Sequence, residues 1–330
     1  MGTQSSGNQA RGKRRRAKGQ DRTDLYQTVT DKVIADLEAG TVPWVKPWEG
    51  SGHAGLGLPE NAATGRAYSG INILLLWASA MTHGRSSHVW LTYRQAQGLG
   101  AQVRKGARGT TIVHAGSFTP DAEKERAQAE GGEAREVRYL KRYTVFHVDQ
   151  VEGLEGFAAA PPEPIDPEHI HARAEALMAA TGASISHGGG EGPYAIGSST
   201  GPNAYYMPGP DRIQLPHHAS FTFPVEYYVT GLHELCHWTG HAARLDRNLT
   251  LSNGSKDYAR EELVAEMGAA FLCAAIGVTP ALRHADYLAC WLKVLREDKR
   301  AIFRAASLAS KAADFILEHE HADATQEVAA

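Results

Sequence analysis

The sequence predicts an α+β protein: a small α/β unit, then a larger unit in which a few short strands precede several long helices. Three observations carry this. Apolar residues recur at helical spacing near both ends of the chain, and runs rich in β-branched and aromatic residues lie between Trp90 and Val151. Between the two patterns sits "FAAAPPEPIDPEH" (157–169), whose alanines and prolines read as an extended linker. At 330 residues and 42% hydrophobic content, the chain can bury two ordinary cores.

Taken in order, residues 1–22 are polar and basic, with Arg11, Lys13, Arg14, Arg15, Arg16 and Lys18 in one run. Such a stretch cannot bury enough apolar surface to fold, so it reads as a disordered tail that either touches phosphates or only aids solubility. Order starts at "TDLYQTVTDKVIADLEAG", where Leu25, Val29, Val33 and Leu37 fall at four-residue steps, Thr23 or Asp24 can cap the start and Gly40 ends the helix. "PWVKPW" (43–48) is proline-stiffened and extended, and "GINILLLWASAMT" (70–82) is a second helix stopped by Gly84. "WLTYRQAQGLG" reads as a short strand feeding a helix, "AQVRKGARGTTIVHAG" as strand, glycine turn and strand, and "RYLKRYTVFHVDQV" (138–151) as a third strand. The charged, apolar-poor 119–136 is expected to be a solvated hairpin insertion. These elements form a first domain over 23–156, with a linker at 157–168 and a second domain at 169–320. The second domain opens with a helix at about 168–181, continues through irregular glycine-rich strands to Pro216, and ends in three long helices.

Composition narrows the function classes. A formal net charge of -3 and a pI near 6.6 exclude a uniformly basic surface, so any nucleic-acid site is a local patch. Cys236, Cys273 and Cys290 make neither a disulfide framework nor a CxxC knuckle, which suits a reducing cytoplasm. The N-terminus lacks the apolar stretch of a secretory signal, and no segment approaches the roughly 20 apolar residues of a membrane helix.

The most chemically informative segment is "HELCHWTGH" (233–241). Residues four apart lie one above the other on a helix, so His233 and His237 can offer two imidazoles to one ion, while Glu234, about 100° round, can reach a water as general base. This is the zincin arrangement, suited to Zn2+ or another divalent metal held with a position left open. Pro224 fits the first turn of that helix, Tyr228, Leu232 and Leu235 form its apolar stripe, and Gly240 ends it. The spacing also occurs by chance on exposed helices, so the third ligand matters. His241 is close but follows the helix-ending Gly240, and reads more naturally as a neighbour of the site than as a ligand. The favoured ligand is Glu262 on the next helix, "YAREELVAEMGAAFLCAAIG" (258–277), with Glu266 bonding the far nitrogen of a ligand histidine. Glu261 and Glu266 remain alternatives as ligands. Cys236 and Cys273 read as small core residues.

The first domain interleaves rings and cations: Trp44, Lys46, Trp48; Arg66, Tyr68; Trp90, Tyr93, Arg94; Arg104, Lys105, Arg108; Lys141, Arg142, Tyr143. Stacking rings beside phosphate-tracking cations are what a single-strand binder needs, although the tryptophans fit a core equally well. There is no RRM, KH, zinc-finger or helix-turn-helix signature and no phosphate loop.

Taken together, "DLYQTVTDKVIADLEAGTVPWVKPW", "NAATGRAYSGINILLLW", "WLTYRQAQGLGAQVRKGARGTTIV", "YTVFHVDQVEGL", "HELCHWTGHAARLDR" and "YAREELVAEMGAAFLC" resemble the ArdC-type antirestriction proteins of conjugative plasmids and mobile elements. The resemblance runs from about 24 to 318. It implies a small α/β ssDNA-binding domain, also found fused to plasmid primases, followed by a zincin-like metallopeptidase domain, and a role in protecting incoming DNA from host restriction. The partners it implies are single-stranded DNA and a protein substrate of unknown identity, such as a restriction or DNA-bound protein. Cys236, where a glycine or other small residue is usual, and the 119–136 insertion depart from the pattern without touching the ligands. The alternative is an ssDNA-binding accessory or primase-associated protein whose metal domain is structural and proteolytically inactive.

Overall fold

The computed structural model describes residues 24–44, 57–85, 87–154, 167–188, 204–249, 255–278 and 288–327. The basic tail, Lys46, Trp48 and most of the linker lie outside them. The first helix, α1 (Leu25–Glu38), starts at Asp24, whose carboxylate accepts from the Tyr26 and Gln27 amides; Gly40 follows its end at φ 73°. Next come β1 (Glu60–Asn61), α2 (Ile71–Thr82), β2 (Val89–Thr92) and α3 (Tyr93–Gly98), the last held by a Thr92–Gln95 capping box. After β3 (Gln102–Val103), the strands β4 (Thr110–Phe118) and β5 (Val137–His147) form a long antiparallel hairpin, and β6 (Val151–Glu152) returns to pair with β3. The main sheet has the order β1-β2-β5-β4, with only the β1–β2 pair parallel.

The hairpin insertion differs from expectation in carrying a helix, α4 (Asp121–Glu130). No residue of α4 is buried. Side-chain ion pairs at helical spacing, Lys124–Asp121, Arg126–Glu123 and Arg126–Glu130, give the segment local order without a core.

The C-terminal half begins with α5 (Pro167–Ala180) and a three-stranded sheet, β7 (Ser184–His187), β8 (Tyr205–Met207) and β9 (Arg212–Leu215), ordered β7-β9-β8. Among the described residues four α-helices follow rather than three: α6 (Pro224–Thr239), α7 (Lys256–Ile276), α8 (Leu288–Glu297) and α9 (Ala301–Glu327). The extra break falls at Asp298, whose carboxylate accepts from the Arg300 amide and whose carbonyl accepts from the Ala301 amide. Among the described residues, no helix is long and apolar enough to cross a membrane.

Helices α1 and α2 share one apolar core with α5–α9. Trp44 meets Trp291 edge-on at 5.5 Å, and Trp77 on α2 meets Phe271 on α7 at 5.8 Å. Polar ties cross the same seam: the Thr30 hydroxyl donates to the Lys299 carbonyl at 2.8 Å and the Gly70 amide to Ser310 Oγ at 2.7 Å.

This packing corrects two of the proposed DNA contacts. Trp44 is 0% exposed, and Trp90 is 1% exposed beside the buried His147, so neither can present a ring face to a base. Because Trp77 fills the seam between α2 and α7, Trp77→Ala should lower stability by about 3–5 kcal/mol. Denaturant unfolding followed by far-UV circular dichroism and by tryptophan fluorescence should give coincident transitions if the seam is one cooperative core.

Candidate metal centre

Helix α6 starts at Pro224, whose missing amide is harmless in the first turn. Its sequence separates two faces. Leu232 and Leu235 are wholly buried in the core, while His233 and His237, one turn apart, face α7. Gly240, next in the chain, does not end the helix through a left-handed conformation, since its φ is -75°. It is needed for space: a Cβ there would come within 2.7 Å of Leu249 and 3.0 Å of Arg247. Helix α7, capped by Ser255, is buried nearly all round, and Gly268 makes room for Cys236, whose Sγ would lie 2.6 Å from an added Cβ.

The two helices bring one ligand atom each from His233, His237 and Glu262 within 4.8 Å of one another. The Nε2 atoms of the two rings are 3.2 Å apart, and Glu262 lies 3.3 Å from His237 Nε2 and 3.5 Å from His233 Nε2. Ligands about 2.0–2.1 Å from a tetrahedral zinc stand about 3.3 Å from one another, so the observed spacing fits such an ion. The donor set agrees with it: Glu262 is 1% exposed and its Oε2 is buried without a hydrogen-bond partner. Burial pushes the Glu262 carboxyl up, but the His237 and His233 rings hold it well below the usual carboxylate range. Burial likewise opposes charge on His237, yet Glu262 and Glu261 hold that ring well above the ordinary imidazole value. The pocket's field therefore favours positive charge.

The outer nitrogens of both rings face carboxylates. His237 Nδ1 is 3.2 Å from Glu261 Oε1, and His233 Nδ1 is 3.8 Å from Glu266 Oε1. Glu261 is thus not placed in the trio; it faces His237 from outside. It is itself gripped by Arg247, which donates from Nη2 to Glu261 Oε1 at 2.7 Å and from Nε to Oε2 at 3.1 Å. Arg247 also donates to the Cys236 carbonyl at 2.6 Å and to Thr239 Oγ1 at 2.7 Å, capping the end of α6. His241, weighed above as ligand or close neighbour, is not among the three converging ligands; its Nδ1 accepts from the Ala243 amide at 3.1 Å inside the turn after α6.

Glu234 is 3% exposed, with Oε2 buried and unbonded. Burial raises its pKa above the usual carboxylate value, opposed by the two histidines and, least, by the backbone of Tyr206. Tyr206 belongs to β8, which is tied to the end of α6 through Asp211 and Arg244. The Tyr206 hydroxyl donates to Asp211 at 2.7 Å, Arg244 Nη1 donates to Asp211 at 3.0 Å, and the guanidinium lies 3.9 Å over the Trp238 ring while Nε donates to the Trp238 carbonyl. Neither this clamp nor the Arg247–Glu261 pair is marked by periodicity in the sequence.

Most remaining candidates for DNA contact are on the surface. Tyr93 and Arg94 on α3 and Arg104, Lys105 and Arg108 between β3 and β4 are exposed. Gln102 donates to the Tyr93 hydroxyl at 3.2 Å, while Gln150 accepts from the Arg104 amide at 2.8 Å and donates to the Arg108 carbonyl at 2.9 Å. These bonds hold ring and cations as one patch. Arg66 is exposed, and Tyr68, half-buried, joins α3 through Asn61 and Gln95.

A histidine pair on one helix and a glutamate on the next, beside a small sheet, place the C-terminal half among zincin-like metallopeptidase folds; residues 172–308 match the family model for a zincin-like metallopeptidase, and residues 23–146 match the N-terminal domain of anti-restriction factor ArdC. The metal-free crystal structure of the antirestriction protein ArdC from plasmid R388 aligns at TM-score 0.70 and 43% identity over 90% of this chain and 97% of that one; its Mn(II)-bound structure aligns at 0.69 and 42% over 90% and 98%. The chain belongs to the ArdC antirestriction family. It is also 41% identical over 304 residues to protein y4eC of Sinorhizobium fredii, covering 89% of this chain and 92% of that protein. Two Escherichia coli DNA primases TraC are 38% and 39% identical over 90% of this chain, which spans only 20% and 27% of their lengths. The zincin-like fold implies zinc, and the manganese in the R388 relative extends this to other divalent metals.

Glu262→Ala should abolish stoichiometric binding of Zn2+ or Mn2+ in a chelator-competition titration. Arg247→Met, which releases Glu261 behind His237, should weaken it by about 10- to 100-fold with the helices intact by circular dichroism.

Proposed function

We propose that the protein is an antirestriction factor that binds single-stranded DNA with its N-terminal half and hydrolyses a protein amide bond with its C-terminal half, acting in the cytoplasm on DNA entering the cell. The observation that carries the hydrolytic reading is the convergence of His233, His237 and Glu262 beside a buried glutamate with a free oxygen. His233, His237 and Glu262 would hold the metal, which when bound supplies Lewis acidity toward a carbonyl and a water. Glu234 takes the proton of the attacking water on its Oε2 and returns it to the leaving nitrogen, a role suited to a carboxyl whose pKa burial has raised. Glu266 and Glu261 orient the two imidazoles. The substrate is a restriction or DNA-bound protein.

The strand-binding reading rests on the patch formed by Tyr93, Arg94, Arg104, Lys105 and Arg108, with Arg66 and Tyr68 on its flank. A ring beside cations on a pinned loop suits single strands, because a duplex hides its base faces. The alternative, a DNA-binding accessory module with a structural metal, is favoured by the primase relatives, in which the aligned region is a minor part of a longer chain.

Two measurements test these readings. In fluorescence anisotropy with a labelled single-stranded oligonucleotide, replacing Arg104, Lys105 and Arg108 together by alanine should weaken binding and flatten the log-log salt slope by about 2. An unchanged slope would remove the loop from the DNA surface. In a conjugation assay against a restricting recipient, Glu234→Gln should lose protection while retaining metal and single-strand binding. Full protection by this variant would favour shielding by occupancy.

A further inference from the structure

Phe118, Val137 and Tyr143, three of the six large hydrophobic side chains most exposed among the described residues, lie on one face of the β4–β5 hairpin. The strand register explains why. Side chains alternate between faces along a strand, and the pairs Phe118–Val137, Gly116–Tyr139, His114–Lys141 and Ile112–Tyr143 put these residues on the same side. Near the root, that side is covered: Ile112 and Val145 pack with Leu76 and Ala80 of α2. Farther out, nothing among the described residues covers it.

The open part carries a graded row of rings. Tyr143 and His114 have centroids 6.2 Å apart, His114 and Tyr139 6.4 Å, and Tyr139 and Phe118 6.1 Å. Lys141 sits among them with Nζ 4.6 Å from the Tyr139 centroid. Gly116 is required by the row: a Cβ there would lie 2.6 Å from the Tyr139 ring, so the glycine lets that ring lie across the neighbouring strand. A buried strand would gain from such rings by covering them; here Tyr143, His114 and Phe118 are exposed and Tyr139 is half-buried, each beside a cation or another ring.

We propose that this outer hairpin face is a stacking platform for single-stranded nucleic acid, with bases on Tyr143, His114, Tyr139 and Phe118 and Lys141 toward the phosphates. The proposal rests on the single-strand reading above and adds a surface distinct from the Arg104–Arg108 loop. Its occupant follows from the chemistry. Rings at a spacing of about 6 Å accept successive splayed bases without selecting their sequence, and a lysine among them complements a polyanion. The acidic helix α4 at the hairpin tip, with Asp121, Glu123, Glu125 and Glu130 against Lys124 and Arg126, repels phosphate and so ends the platform at Phe118.

The test uses the full chain, metal-loaded, with a labelled oligothymidylate. Wild-type binding by anisotropy comes first; its absence would defeat the single-strand reading itself and the platform with it. Given wild-type binding, Tyr143→Ala and Tyr139→Ala should each raise Kd by about 5- to 150-fold, and Tyr143→Phe, which keeps the ring, should restore it. Lys141→Ala should flatten the salt slope by about 0.7. Photocrosslinking with 5-iodouracil in the oligonucleotide, followed by peptide mapping, should mark the segment 137–143. If the loop variant loses binding while all three hairpin variants keep wild-type Kd, and crosslinks fall outside the hairpin, the platform is overturned and the single-strand reading stands. Tyr143 and Lys141 are exposed, so their variants should melt as wild type does.

Discussion

Four carboxylates, Glu234, Glu261, Glu262 and Glu266, are buried where α6 meets α7, and the organisation of the C-terminal half follows from having to balance them. Each ion taken from water into such a place costs several kcal/mol unless it is matched. The matching is unequal. Glu261 has a guanidinium and an imidazole, Glu266 stands behind His233, and Glu262 and Glu234 each retain a buried oxygen that makes no hydrogen bond. A helix pair that satisfied every one of these groups would be a structural core. One that leaves two oxygens open beside two imidazole nitrogens is suited to a cation and a proton.

The close approach of the helices is bound up with the same problem. Gly268 admits Cys236, and Gly231 admits Met178, whose Cε would lie 2.5 Å from an added Cβ. These small-against-large contacts draw α5, α6 and α7 together, with Leu232, Leu235, Leu263 and Met267 of α6 and α7 all fully buried. Glu261, 8% exposed, is matched by protein groups rather than left to water. The burden falls on Arg247, whose side chain is only 4% exposed.

How much of this was legible in the sequence depends on whether a residue's partner lies at a regular interval. His233, His237 and Glu262 could be read because helical spacing sets which side chains share a face, and the long apolar-periodic segments became helices with the expected caps at Asp24 and Pro224. Arg247 could not. It reaches Glu261 only because the turn after α6 folds back, with the Leu245 amide on the Thr239 carbonyl and the Arg247 amide on the Gly240 carbonyl. Arg244 and Asp211 meet by the same kind of aperiodic geometry, Asp211 at a positive φ of 50°. Tryptophan was ambiguous for a different reason. The same ring suits a base or a core, and only the tertiary packing that buries Trp44 against Trp291 and Trp90 against His147 decides between them.

The seam between the two halves constrains how they can act on one another. Trp77 and Phe271 are 1% exposed, and Phe271 lies nine residues beyond Glu262 on the same helix, about 13 Å along its axis. A close-packed contact of this kind has no spare volume for a second arrangement, so it transmits position better than it transmits motion. Two sites fixed in one core need no conformational signal to cooperate. On the function proposed above, a protein seated on the same DNA strand as the N-terminal half would meet α7 at the high effective concentration of a tethered partner, provided the span matches. Proximity imposed by a shared core then takes the place of a switch.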